Sequence, residues 1–330
     1  MGDWGINPKA FGKLMRLLAQ YNDAPSAVIR EYVSNAVDAV TGMEDGHVEV
    51  VFPTEDNPTL VISDNGVGMT EEFMTTQLGN YLTSTKSEDG SSIGSKGIGS
   101  KAAFSISDEF SITSRRDGRR TTCVYHITDD DECWYDSTVE DDAENGHGTI
   151  VSIDIKNPHD ISRMRLSGNV LRGFSRELVT VIDQNGNPID VDWFDGMYRI
   201  DVNDSVSIDI KELITSSYGN SVSIMQGNVF YDSKSNTLLD KAFNRSSSLK
   251  NMITSYASSE FPALVVRVPG NTLTTNPSRE QFESTDANID IIMHALESIT
   301  LDDIARLRDT INDKEYMVLS YDDAMSVHAD

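Results

Sequence analysis

Three groups of residues in the first half of the chain have the types and spacing to do chemistry. The segment from Ser26 to Thr41 has helical periodicity, and at about 100° per residue Glu31, Asn35 and Asp38 fall in one narrow stripe. Ile29, Val33, Ala36, Val37 and Val40 take the opposite side. Two carboxylates and a carboxamide, with small Ser34 and Ala39 beside them, suit a helix that lines a polar cavity. Glu31 would then take a proton from an attacking water. Asn35 would offer its carbonyl oxygen to Mg2+, a hard cation that keeps several waters. From this helix alone, an ordinary solvated face fits equally well.

The run TLVISD ends at Asp64 and continues into Asn65-Gly66-Val67-Gly68-Met69. A carboxylate at a strand end can accept a hydrogen bond from an exocyclic amine, and the glycines let a flat ring approach the backbone. Adenine is such a ligand, although Asp/Asn/Gly clusters also make plain turns. The third group is Gly94-Ser95-Lys96-Gly97-Ile98-Gly99-Ser100-Lys101, which opens into what reads as a helix at Ala102-Ala103-Phe104. Backbone N–H groups at this spacing would face phosphates. The order Ser100-Lys101 is not that of a Walker A loop, and no buried strand precedes the glycines as a dinucleotide fingerprint requires. Taken singly, the segment is also what a flexible Gly/Ser loop looks like.

The elements that must position these groups follow from periodicity. Residues 8–21 and 26–41 are expected as amphipathic helices, the second with Ser26 as N-cap and Gly42 just past its end. Strands are expected at His47–Phe52 and Thr59–Asp64, and a helix over 70–79 starting on Thr70. A polar Gly/Ser-rich segment covers 83–100. Strands return at 109–114, 121–127 and 148–155 with acidic loops between them, followed by a helix over 160–182. Arg115, Arg116, Arg119 and Arg120 are expected at a solvated hairpin end around Asp117-Gly118. Later, short β-like runs (IDVDWF, YRIDV, VSIDI, VSIMQGNVFY and ALVVRV) alternate with polar loops, and a last helix covers 286–310. The expected division is 1–185, 186–312 and a weakly ordered tail over 313–330, in an α/β (α+β) pattern.

Bulk composition narrows the partners. With 27 basic and 53 acidic residues the net charge is −26, which repels phosphate backbones and argues against nucleic acid as a bulk ligand. No apolar run reaches the ~18 residues of a membrane span, and MGDWGINPKA lacks the features of a secretory signal. Cys123 and Cys133 fit no zinc or redox motif. The acidic tracts Asp129–Glu132 and Glu140–Glu144 lack calcium-loop spacing and are expected as loops. A cytoplasmic protein with reduced thiols is the simple expectation.

Taken together and in order, these segments resemble the GHKL superfamily. Arg30-Glu31-x-x-Ser34-Asn35-Ala36-x-Asp38-Ala39 is similar to its first motif, and Asp64-x-Gly66-x-Gly68-Met69 to its second. Gly94-x-x-Gly97-x-Gly99 is similar to the third, and Gly148-Thr149 before the strand Ile150–Ile155 to the fourth. The resemblance implies a two-layer α/β sandwich ATPase domain of the Bergerat type, then a smaller α/β transducer-like domain, with ATP and Mg2+ as cofactors. By position it implies Glu31 as general base, Asn35 as Mg2+ ligand and Asp64 as the acceptor for the adenine amino group. Asp38, Gly66, Gly68, Met69 and Thr149 would line the pocket. Gly94, Gly97, Ile98 and Gly99, with Lys86 or Lys101, would contact phosphates under a lid that starts near Leu82. In Asn276-Pro277-Ser278-Arg279-Glu280, Arg279 would reach the γ-phosphate, to which an arginine fork is suited, with a local salt bridge to Glu280 or Glu283 as the alternative. The wording GSKGIGSKAAFSISDEFSITS, SIMQGNVFYDS and NPSRE is most similar to phage rIIA-type proteins. The resemblance thus implies a slow ATPase clamp that closes on ATP and forms a homodimer through its ATP domain in the host cytoplasm. A nucleotide-gated binding module without hydrolysis is the alternative.

Overall fold

Helix α1 spans Ala24–Val40 and starts before the position that its periodicity predicts. Asp23, not Ser26, is the N-cap: its carboxylate accepts hydrogen bonds from the Ser26 backbone at 3.5 Å and the Ser26 hydroxyl at 2.6 Å. Pro25 sits in the first turn, where its missing N–H removes no helical bond, so here it marks the inside of the helix. The chain leaves the helix at Thr41, and Gly42 follows at φ +84°, a left-handed conformation that a residue without Cβ adopts freely. Ile29, Val33, Ala36, Val37 and Val40 are all buried. Each of the larger ones contributes roughly 1.5–3 kcal/mol of hydrophobic stabilisation.

The computed structural model describes residues 21, 23–74, 99–142, 144–191, 193, 198–204, 206–210, 221–231, 237–246, 263–276, 281–300, 302–303, 305–306 and 309. The chain divides into two units, Met1–Asp195 with Thr275–Glu280, and Gly196–Thr274 with Gln281–Asp330.

In the first unit, seven strands form one sheet: β1 (Val48–Phe52), β2 (Thr59–Asp64), β3 (Glu109–Arg116), β4 (Arg119–Ile127), β5 (Cys133–Asp141), β6 (Gly148–Asp154) and β7 (Val179–Asp183). Their order is β5-β4-β3-β6-β2-β1-β7, antiparallel throughout except for the parallel pair β1 and β7. Period-2 alternation turns Val48, Val50, Phe52, Leu60, Ile62, Phe110, Ile112, Val151 and Ile153 onto one face, where they are buried in a single core with α1. This two-layer arrangement lays the helix on the sheet in which β2 ends at Asp64. The β3–β4 hairpin turns at Asp117 (φ 53°) and Gly118 (φ 70°), the two left-handed positions of a tight hairpin, with the four arginines around it as expected.

Two expectations for this unit need correction. The segment Cys133–Asp141, read as part of the acidic loops, is the edge strand β5, pairing with β4 from Arg119↔Asp141 to Ile127↔Cys133. Its residues are mostly exposed, so no apolar alternation announces it. The helix expected over 160–182 is shorter: α2 covers Pro158–Ser167, a 3-10 turn covers Gly168–Leu171, and the β-branched VTVID becomes β7 beside β1. At 70–79, the Thr70 hydroxyl accepts from the Phe73 N–H at 3.2 Å, which starts a helical turn; residues 75–79 lie outside the described residues, as do 1–20 and 313–330.

The second unit is a five-stranded sheet ordered β11-β10-β12-β9-β8, from β8 (Tyr198–Asn203), β9 (Val206–Ile210), β10 (Ser221–Gln226), β11 (Val229–Tyr231) and β12 (Ala263–Val268). Helices α3 (Thr237–Arg245) and α4 (Asp286–Glu297) accompany it, joined by Arg245, which pairs with Asp286 and with Asp290 at 2.8 Å. The run from Ile189 is no strand over its described residues; it folds back, with Ile189 N–H on Val181 O at 2.9 Å. The last helix does not run unbroken to 310. It ends at Glu297, and Thr300 and Asp303 then bond reciprocally, at 2.9 Å and 3.2 Å, in a new cap. Among the described residues no helix is long and apolar enough to cross a membrane.

Candidate functional site

The site is built around the end of β2. Asp64 is half-buried, with Oδ1 accepting from Gly66 N–H at 2.9 Å. Burial raises its carboxyl from 3.8 to about 6, against the backbone hydrogen bonds of Gly66 and Thr149 and the nearby His147, which pull it down. The neighbouring backbone is packed too closely for side chains. A Cβ on Gly68 (φ +64°) would lie 2.2 Å from Arg115 O, and one on Gly148 (φ +109°) would lie 2.1 Å from Asp64 O. A Cβ on Gly66 would lie 2.6 Å from Ala39 O, so the glycine loop rests directly on α1, and Val67 N–H also reaches Ala39 O at 3.3 Å.

That contact joins the first two groups of residues. Asp38 lies beside Ala39 and is half-buried, as is Asn35; Glu31 is 4% exposed and lies eight residues, about 12 Å, back along the helix. The Glu31 carboxylate is 3.6 Å from Nε of buried Arg30. Next to it, Tyr32 hydrogen-bonds the backbone of Ala103, and burial raises its phenol well above the ordinary value. Ala103 belongs to a 3-10 helix, Gly99–Ser105, where an α-helix start was expected. The same turn carries Lys101, which is buried, and burial lowers its ammonium to about 8. The Asp64 loop thus rests on α1 at Ala39, and the turn that carries Lys101 packs on the same helix at Tyr32.

Several contacts were not foreseen from the sequence. Ser114 is 1% exposed; its hydroxyl accepts from Met69 N–H at 2.8 Å, donates to Gly148 O at 3.0 Å and lies 3.1 Å from Thr149 Oγ1. Its signal was a polar residue in the inward register of β3, after Phe110 and Ile112. His147 Nδ1 lies 2.9 Å from Gly66 O, and Arg116 donates to Gly68 O at 3.3 Å. The Asn65 side chain accepts from His47 N–H and donates to Asp45 O, both at 2.7 Å, which fastens the loop to the start of β1. Lys86, Gly94, Gly97, Ile98 and Arg279 lie outside the described residues. Arg279 falls between two pinned flanks. Gln226 exchanges hydrogen bonds with Leu273 at 2.6 Å and 3.1 Å, and Asn288 bonds Thr274 O and Glu283 O, each at 2.7 Å.

The donor set fits a nucleotide with its cation. A half-buried carboxylate and hydroxyl beside closely packed glycines suit an amine-bearing base, and a buried lysine suits phosphate. Among the described residues no group of three His, Cys, Asp or Glu side chains would hold a metal alone. Mg2+ needs no such cage: one side-chain oxygen plus phosphates and waters suffice, and Asn35 supplies that oxygen type.

Comparison with known proteins agrees with this geometry. Residues 23–146 match the family described as histidine kinase-, DNA gyrase B-, and HSP90-like ATPase. The chaperone protein HtpG of Rickettsia akari (strain Hartford) is 27% identical over 206 residues, 53% of this chain and 32% of that protein. HtpG of Francisella tularensis subsp. novicida (strain U112) is 29% identical over 157 residues, 44% of this chain and 24% of that one. The chain thus matches a third or less of the length of these curated relatives. Among solved structures, the ATPase region of Saccharomyces cerevisiae topoisomerase II bound to ICRF-187 (dexrazoxane) superposes with a TM-score of 0.55 at 14% identity, over 86% of this chain and 85% of that one. The ATPase and transducer domains of DNA topoisomerase II from Balamuthia mandrillaris give 0.52 at 13% identity, over 87% and 86%. The fold is that of a GHKL-type ATPase region.

Proposed function

We propose, for a chain whose residues 23–146 match the GHKL-type ATPase domain, that it binds Mg·ATP and hydrolyses it slowly as an ATP-gated clamp. The observation that carries this reading is the Asp64 carboxylate, half-buried at the strand end between Gly66, Gly68 and Gly148 and beside the acidic face of α1. Asp64 would accept a hydrogen bond from the adenine amine, with Gly66, Gly68, Met69 and Thr149 around the ring. Asn35 would hold the Mg2+, which offsets phosphate charge when bound, with Asp38 beside it. Lys101 or Lys86, with the backbone at Gly94, Gly97, Ile98 and Gly99, would face the phosphates. Glu31 would take the proton of the attacking water, with the Arg30 guanidinium 3.6 Å from its carboxylate. Chemistry of this kind is mostly positioning and charge stabilisation.

In this reading residues 1–185 form the ATP-binding domain and 186–312 a transducer-like domain that supplies Arg279 to the γ-phosphate. ATP binding then closes the 82–100 lid and favours a homodimer through the ATP domain. The similarity to rIIA-type proteins supports a phage-encoded role in the host cytoplasm with a protein client.

The test is calorimetric titration of wild type and Asp64→Asn with Mg·ADP and Mg·AMPPNP, followed by turnover of wild type and Glu31→Ala. Wild type should bind both nucleotides and Asp64→Asn neither. Glu31→Ala should bind as wild type and lose turnover. A wild type that binds neither sinks the proposal; one that binds without turnover leaves a nucleotide-gated scaffold.

A further inference from the structure

We infer that Ser114 sets the base specificity of the site by fixing the direction in which the Thr149 hydroxyl points its proton. This rests on the adenine reading of Asp64 given above. A serine hydroxyl has one hydrogen to donate and two lone pairs to accept with. The Met69 N–H occupies one lone pair at 2.8 Å, and the Gly148 carbonyl, which only accepts, takes the hydrogen at 3.0 Å. Toward Thr149 Oγ1, 3.1 Å away, Ser114 has only its second lone pair left. Thr149 therefore donates to Ser114 and turns its own lone pairs outward. Ser114 is 1% exposed, so water does not compete for its hydroxyl, and the Gly148 carbonyl has no hydrogen of its own to offer.

The consequence is chemical. Thr149 is the register partner of Asp64, and its backbone hydrogen-bonds the Asp64 carboxylate. With Thr149 oriented by Ser114, this corner of the site presents two acceptors and no donor. An exocyclic amine has two hydrogens and satisfies both. A carbonyl at the same ring position, as in hypoxanthine or guanine, satisfies neither and leaves buried acceptors facing each other, which is how such sites reject analogues. Neither Ser114 nor the polarity of Thr149 is part of the chemistry assigned to the nucleotide; Ser114 is a positioning residue.

The experiment is calorimetric titration with Mg·ADP and Mg·IDP, two nucleotides that differ in that ring substituent. Wild type should prefer ADP by tenfold or more. Ser114→Ala frees the Thr149 hydroxyl to rotate and donate to a carbonyl, so the ADP/IDP ratio should fall at least fivefold, while Ser114→Thr, which keeps a hydroxyl, should restore it. Equal loss of affinity for both nucleotides would mean a merely structural role and would overturn the inference. Should Ser114→Ala fail to fold, Thr149→Val reports on the same polarity: its ADP/IDP ratio must also fall, and a ratio equal to wild type overturns the inference. Wild type that binds ADP with a ratio indifferent to these changes removes this inference alone; wild type that binds neither nucleotide removes the adenine reading and this inference with it.

Discussion

Asp64 and Lys101 both titrate near physiological pH because burial penalises their charged forms. For Asp64 the folded value is raised to about 6, so its contribution to folding is largest when it is protonated and is lost as pH rises through 6. Ligand binding runs the other way, since only the carboxylate accepts from the amine without offering a competing hydrogen. Affinity for adenosine, which carries no titrating phosphate, should therefore fall below pH 6 by about tenfold per pH unit at the limit. Calorimetry between pH 5 and 8 checks this; a flat profile removes Asp64 as the base acceptor. For Lys101 the value is lowered to about 8, and a phosphate placed beside it would raise it again. Binding of Mg·ADP at pH 8 should then take up as much as about half a proton, seen as a heat that depends on the buffer's ionisation enthalpy and vanishes in Lys101→Met. No uptake would place Lys101 away from the phosphates.

At the scale of elements, the site depends on three stretches of backbone meeting at Asp64. Gly68 and Gly148 combine positive φ with a Cβ position occupied at 2.2 Å and 2.1 Å by carbonyl oxygens. Alanine at either should destabilise the fold by on the order of 2 kcal/mol or more, because strain and collision add. Gly42→Ala is the control. Its φ is +84°, but nothing lies within 4 Å of the added Cβ, so it should lose only about 1 kcal/mol. Urea unfolding of the three variants separates the cases, and equal losses would mean that the close approach is relaxed in solution. The same scale explains what periodicity could not announce. β5 is exposed on both faces, so its nine residues carry no alternation. β7 follows α2 after a 3-10 turn, and its β-branched run becomes a strand because β1 offers a parallel edge.

At the scale of the whole molecule, the γ-phosphate contact proposed for Arg279 is open to a direct test. On either side of Arg279 in the sequence, the Gln226 side chain bonds the backbone of Leu273, and that of Asn288 bonds the backbone of Thr274 and Glu283. Arg279→Ala should lower affinity for Mg·AMPPNP at least tenfold with little change for Mg·ADP, and should abolish AMPPNP-dependent self-association in sedimentation experiments. Loss of affinity for both nucleotides alike would remove Arg279 as the γ-phosphate contact. With a net charge of −26, self-association should also strengthen as salt rises, because the repulsion between copies is screened beyond about 8–10 Å.

The sequence by itself determined the pieces whose chemistry is local. The stripe Glu31, Asn35 and Asp38 follows from helical geometry, Asp64 with its glycines from a strand that stops at a carboxylate, and the Asp117-Gly118 hairpin from turn chemistry. Tertiary structure alone decided how these pieces meet: Gly66 against Ala39, Gly148 against Asp64, and Ser114 linking Met69 to Thr149. The physical reason is that periodicity records which side of an element is buried and not what it is buried against. A serine in an inward strand position looks like a small defect in the pattern until the two loops that share its hydroxyl are brought together.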